Sequence, residues 1–355
     1  MRVKLIVFSF LTVGLLSSKC SKDEPDEEQS FDQFALLENY ADNIIIPGYE
    51  TLFNNLASLE DAVETFDTDY SEENLILAQE EWFKAYESFQ KVQMFDFGPA
   101  MNRGLKSALA TYPTDTIKIN ENAQGGFVSL GTADNIDAIG FPALDYLLFD
   151  LSNQKALFRL TNGVNRRAHV LAIIDKMMGE TLSVLSDWNS YRDEFTTSGG
   201  TSSTSSLSYL VNEFNKDFEL TKNAKIGIPA GVKSLGIIRP EFIEAPFSKK
   251  SLELAHASIL GLREAYVGAD GQGFDNWLKI YDNGVELNTR ILNAFQEIEQ
   301  ASELINTREF KEVLDTDLQL AVDLYEKLQA NVVNIKTDMP ALFGIFITYQ
   351  DNDGD

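Results

Sequence analysis

Histidine and cysteine, on which most metal and nucleophile chemistry draws, are nearly absent. The 355-residue chain has two histidines, His169 and His256, and a single cysteine, Cys20. One thiol can form neither an internal disulfide nor a zinc–cysteine cluster. Neither H-E-x-x-H nor G-x-S-x-G occurs, so the chain lacks a zincin metal helix and a hydrolase nucleophile elbow. Positive charge is also scarce, at 29 Lys and Arg against 55 Asp and Glu, a net charge of −26. Such a chain repels phosphate backbones and anionic lipid as a whole, which argues against nucleic-acid binding. Most of this charge reads as solvated surface. Strand-like alternation is limited to residues 116–119 and 126–130, which are expected as short extended pieces without a sheet.

Apolar material is plentiful, at 44% of the chain with 24 Phe and 12 Tyr. The first nineteen residues stand apart from the fold. Arg2 and Lys4 precede an apolar run at residues 5–16, then Ser17 and Ser18. The run is too short to span a bilayer and has the form of a secretory signal. Cys20 follows at once and is expected to carry a lipid at the mature N-terminus, with Lys19 standing where small residues are usual. The alternative is a free cysteine beside a cleavage point a few residues later. Residues 20–30 are acidic, include Pro25, and read as a flexible tether. Their Lys22-Asp23-Glu24 run is similar to the export tag that sends some lipoproteins to the cell surface.

Helical spacing dominates the remainder. Ser71 is placed as an N-cap, and Leu75, Ala78, Trp82, Ala85, Phe89 and Val92 then recur in steps of three and four. Leu287, Ile291, Ala294, Ile298 and Ala301 keep the same step. After a start at Asn306 and Glu309, so do Phe310, Leu314, Ala321, Tyr325, Leu328, Val332 and Ile335. Further helices are expected over residues 34–66, kinked at Pro47, and 154–188. These stripes are core seams of packed helices. The small polar residues 196–206 form a loop or linker. The expected fold is therefore all-α, with helical bundles at 31–195 and 207–355.

The stretch Gly140-Phe141-Pro142-Ala143-Leu144-Asp145 resembles the G-x-H-x-x-E motif of the imelysin family. Residues 39–49, with Asn39-Tyr40 and Pro47, resemble that family's first helix. Trp82, then residues 94–99 with Phe95, Phe97, Gly98 and Pro99, are similar to its second. Residues 112–115, 226–230, 244–248 and 266–268 look like further family segments, and the likeness continues to residues 348–355. The resemblance implies two helical bundles across a central cleft that holds the motif. It also implies zinc-dependent peptidase activity or a role in iron uptake, with the motif's histidine and glutamate as metal ligands. Carried over to this chain, Gly140 matches, Pro142 replaces the histidine and Asp145 replaces the glutamate. Proline ligates nothing and suits the first turn of a helix, and zinc needs three or four protein ligands, so zinc is not expected.

No other metal ligand set is assigned. Glu253 and His256 share a helical face, as in one half of a di-iron site, but His169 has Arg166 at the matching position. The acidic tail at 351–355 resembles half a calcium loop without its bidentate glutamate. By resemblance, Asp145, Tyr146, Glu241, Glu244 and Ser248 line the cleft. Two readings of it stay open. Its oxygens could hold iron or another hard cation, or Asp145 and Glu244 could cap helices or pair with Arg239. The expected function is an exported lipoprotein, on the outer membrane through Cys20, that binds a ligand or metal without catalysis as an accessory of iron or haem uptake components. The alternatives are an imelysin-type metallopeptidase and a structural interaction lipoprotein.

Overall fold

Ser71 shows how the sequence writes its helices. Its side-chain oxygen accepts the Asn74 N–H at 3.2 Å, satisfying a donor that the first turn leaves free. Helix α3 (Glu72–Val92) follows, with Glu72 and Glu73 in its first turn and Lys91 in its last, the charge order that the helix dipole favours. All six apolar residues of its expected stripe are buried. The computed structural model describes residues 31–125, 129–149, 159–160 and 162–349. The signal, Cys20, the tether and the acidic tail at 351–355 lie outside these residues.

The described residues from Phe31 onward fall into one compact unit around a continuous hydrophobic core, and no strand occurs among them. In the first half, α1 (Gln33–Asn39) runs through Tyr40–Ile45 into α2 (Ile46–Thr68). Helices α2 and α3 pack together, α2 also packs on α8 (Val164–Thr197), and α4 (Gly98–Arg103), α5 (Leu105–Ala110), α6 (Thr116–Gly125) and α7 (Gly140–Phe149) gather around them. The second half is built from α9 (Ser206–Leu220), α10 (Ser251–Val267), α11 (Phe274–Leu278), α12 (Gly284–Glu303), α13 (Phe310–Thr316), α14 (Leu318–Val332) and α15 (Met339–Phe343). The halves meet where α3 lies along α10. Gly261 makes this approach possible, since a Cβ there would stand 2.9 Å from the Lys91 Cα. Asn39 and Tyr40 brace the same seam. The Asn39 amide donates to the carbonyls of Gly268 and Gln272, each at 2.9 Å, and the Tyr40 hydroxyl donates to that of Ala265.

Three long helices widen into a π-helical turn just before a proline. These turns are Tyr40–Ile45, Thr221–Gly227 and Val333–Asp338, followed by Pro47, Pro229 and Pro340. In each case the residue before the proline donates its N–H five residues back: Ile46 to Ala41, Ile228 to Asn223, and Met339 to Asn334. Proline has no N–H and crowds the preceding turn; the wider turn absorbs this at Pro47 and Pro340, where a helix continues, whereas after Thr221–Gly227 the helix ends and Pro229 lies in a run of turns. The kink expected at Pro47 is such a turn.

Other expectations shift at the element ends. Residues 116–119 open α6, where Asp115 Oδ1 accepts the N–H groups of Ile117 and Lys118; this local cap outweighs the β-branched pattern. Residues 126–128 lie outside the described residues, and Ser129 and Leu130 are not in a strand. Helix α13 begins at Phe310, and Asp317 in a non-helical conformation separates it from α14. Helix α8 continues past Trp188 because Phe195 and Thr196 still find core to bury into, while residues 154–158 lie outside the described set. The connecting loop is thereby shortened to residues 198–205. It is tightly bonded: the Ser205 hydroxyl donates to the Gly200 carbonyl at 2.8 Å and accepts the Ser208 N–H at 3.2 Å.

Candidate functional site

Helix α7 carries the motif. Gly140 opens it at φ +76°, where an added Cβ would come within 2.3 Å of the Leu109 carbonyl oxygen, so only glycine fits against α5. Pro142 is buried in the first turn, where its missing N–H costs nothing. The Phe141 carbonyl accepts from Trp82 Nε1 at 3.1 Å, and its ring stacks on Tyr86 with centroids 4.4 Å apart. The motif is thus clamped to α3.

Asp145 is fully buried. Its Oδ2 accepts the Phe247 N–H at 3.0 Å and its Oδ1 the Ser248 N–H at 2.8 Å. Burial pushes its carboxyl up to about 7, with a smaller push from Glu244, against the pull of these hydrogen bonds. The carboxylate therefore splices the loop at 244–249 onto α7. Glu244 is buried 3 residues before Phe247. Lys225 donates to both its oxygens, at 2.8 and 2.7 Å, and Oε1 also accepts from the Tyr86 hydroxyl at 2.7 Å and Gln90 at 3.0 Å. Burial, then the neighbouring carboxylate, raises the Tyr86 phenol well above its ordinary range. The polar chain continues from Gln90 to Gln93, to Ser258 on α10 and to Thr221.

The structure unites Asp145 with Ser248 and sets Glu244 on the same loop. Tyr146 packs edge-on against Phe247 at 5.1 Å, but its hydroxyl accepts from Asn120 at 2.7 Å on the α6 side. The Arg166 guanidinium lies 5.5 Å from its ring centroid. Glu241 is not brought into this group; it is exposed and pairs with Arg239 at 2.6 Å. The cation on Glu244 is therefore Lys225 and not Arg239, because a buried carboxylate needs a partner that is itself buried. Sequence reasoning missed Lys225, Tyr86, Gln90 and Gln93. The last three could have been found as polar residues spaced four and three apart beside the apolar stripe of α3.

Neither histidine completes a metal set. His256 Nδ1 lies 2.7 Å from Ser302 Oγ, whereas Glu253 is held by Lys250. His169 is buried, and burial with Arg166 nearby lowers it to about 4. Among the described residues there is no group of three or more His, Cys, Asp or Glu able to hold a metal ion, and no helix long and apolar enough to cross a membrane.

The all-helical architecture is that of a known group, and the family model for Imelysin matches residues 45–334. The chain belongs to the imelysin family. It is 25% identical over 140 residues to iron-regulated protein A of Synechococcus elongatus, a match that covers 38% of each protein. In fold it is similar to an imelysin-like protein of Psychrobacter arcticum 273-4, with a TM-score of 0.73 and 16% identity over 89% of this chain and 97% of that one. It is also similar to a protein of Parabacteroides distasonis ATCC 8503 named as an iron-regulated protein A precursor, with a TM-score of 0.69 and 18% identity over 90% and 97%. These likenesses establish a shared fold. The donor set in this imelysin does not fit the family's metal: Pro142 offers no ligand, and the oxygens of Asp145 and Glu244 are engaged by N–H, hydroxyl and ammonium donors.

Proposed function

We propose that this imelysin-family protein is a non-catalytic ligand-binding lipoprotein that serves iron or haem acquisition. The observation that carries the non-catalytic part is the engagement of the motif. Asp145 and Glu244 are spent on holding the loop at 244–249, α7 and α3 together, and Pro142 stands at the histidine position. A hydrolytic metal centre needs an open coordination position, and these carboxylates offer none. The iron connection is supported by the iron-regulated proteins to which the chain is similar. In this reading Cys20 bears the lipid, and the acidic segment after it tethers the body to the outer membrane, facing the periplasm or the exterior.

The test pairs two measurements on the mature chain. Calorimetric titration with ferric iron and with haem is expected to show saturable binding, and incubation of an unfolded protein substrate with added zinc or calcium is expected to show no cleavage. Absence of binding to both probes would remove the ligand-binding role. Metal-dependent cleavage would instead establish a metallopeptidase.

A further inference from the structure

The surface between Pro229 and Pro240 differs from the rest of this acidic molecule. Val232 is 39% exposed, Leu235 98%, Ile237 59% and Ile238 39%, so four aliphatic side chains face solvent within seven residues. Isolated exposed apolar residues are ordinary, but a contiguous set marks an interaction surface. The charge pattern changes here as well. Residues 226–240 contain Lys233 and Arg239 and no acid, in a chain of net charge −26.

The loop is also firmly built. The Lys233 N–H donates to the Gly227 carbonyl at 3.0 Å, that of Gly236 to Gly231 at 2.9 Å, and that of Arg239 to Pro229 at 3.0 Å. The Ser234 hydroxyl bridges the carbonyls of Ile228 and Ile237 at 3.0 and 2.8 Å. Within this brace Leu235 is held at φ +57°, a left-handed conformation that disfavours a side chain. The bonded frame offsets that cost and keeps an apolar knob in water.

We propose that this loop is a lipid-contact tip that inserts Leu235 and Ile237 into the interfacial layer of a phospholipid bilayer. Three observations favour lipid over a protein partner. The exposed apolar residues of the tip are all aliphatic, whereas protein hot spots are enriched in Trp, Tyr and Arg and poor in Leu and Val. A bilayer accepts an aliphatic knob without a matching pocket. The acidic body is repelled by anionic headgroups, so this stretch, where Arg239 is balanced by Glu241 and Lys233 adds a positive charge, is the one that can approach, and a basic residue near such a surface adds attraction. The contact is separate from any lipid on Cys20 and from the identity of the ligand.

The test uses the chain from residue 21 onward, which keeps the whole compact unit and lacks Cys20. Its probe is vesicles of phosphatidylethanolamine with a minor fraction of phosphatidylglycerol. The wild-type chain is expected to co-sediment with them, and the double variant Leu235→Asp, Ile237→Asp to lose roughly tenfold in partitioning, because charged residues are excluded from the apolar boundary. Leu304→Asp, at another site that is 69% exposed, is expected to bind like wild type. In a third variant, Leu235→Trp, fluorescence is expected to shift to the blue when vesicles are added. The proposal is overturned if the wild type stays in solution, if the double variant partitions equally well, or if Leu304→Asp loses as much. It is equally overturned if the loop variants abolish a concentration-dependent dimer while vesicles bind nothing, since the face would then seat a second copy of the chain.

Discussion

The seam around Asp145 and the loop around Leu235 invert the usual arrangement of a protein. At the seam, charges are sealed from water and every carboxylate oxygen described above has a donor. At the loop, aliphatic side chains are held in water by a frame of hydrogen bonds. The seam is where the family's chemistry is sought, yet its groups are matched to one another. The loop carries no motif, yet among the described residues its apolar groups stay partly or almost wholly in solvent. Unsatisfied groups point to function more directly than the place where a motif sits.

The seam is most vulnerable at Lys225. Lys225→Met leaves the Glu244 carboxylate buried without its cation, and removing one partner of such a pair costs roughly 3–5 kcal/mol. Urea denaturation would measure it, and a loss under about 1 kcal/mol would mean that water reaches the pair.

A pH series on Asp145 comes next. Its folded carboxyl sits at about 7, above an unfolded value of about 3.9. The native state therefore holds the proton more tightly, and this group's contribution to stability falls as pH rises through that window. The full change is on the order of 4 kcal/mol. The difference in unfolding free energy between wild type and Asp145→Asn should decline from mild acid to neutrality and then level off. A flat difference would show that the carboxyl is already ionised in acid.

Gly140→Ala forces a Cβ toward the Leu109 carbonyl at an unfavourable φ, and roughly 2–3 kcal/mol of destabilisation is expected. A melting curve would report it, and an unchanged midpoint would mean that α7 can slide away from α5. The smallest effect is expected at the loop. Leu235→Ser should change stability by less than about 0.5 kcal/mol, since the side chain is 98% exposed and serine carries the same Cβ into the left-handed backbone. A larger loss would show that Leu235 packs within the fold, and the contrast between the two regions would close.

Much of the helical architecture could be read directly from the chain. The stripe through Trp82 and Phe89 is buried as its spacing requires, and so is that through Ile291 and Ile298 except at Ala294, where Phe295 takes the core position, because helical period and burial are the same signal. The Gly140 motif was visible too, and resemblance to the family had set Ser248 beside Asp145 only as two of five cleft positions. The Glu244 partnership was not. Tyr86 lies 158 positions away in the chain, and no local pattern pairs residues at that distance. Glu241 was misplaced for a related reason, since three residues separate it from Glu244 while burial separates them completely. Residues 116–119 were misread because a capping aspartate weighs more than a short run of β-branched side chains.

The wide turns before Pro47, Pro229 and Pro340 also determine how the inward face should be counted. Across the first, the buried residues Leu37, Ala41, Ile45 and Tyr49 advance by fours, and only beyond it do Leu52, Leu56 and Leu59 restore the alternation of three and four. Ile335, Met339 and Phe343 advance by fours around the last. At Pro47 and Pro340, where a helix continues, the widening resets its phase, so a heptad frame carried through either proline would assign the wrong side chains to the core. In this chain a proline followed by a restored three-four rhythm marks a continuous helix that has been re-indexed, and the sequence on its two sides should be read as one element with two phases.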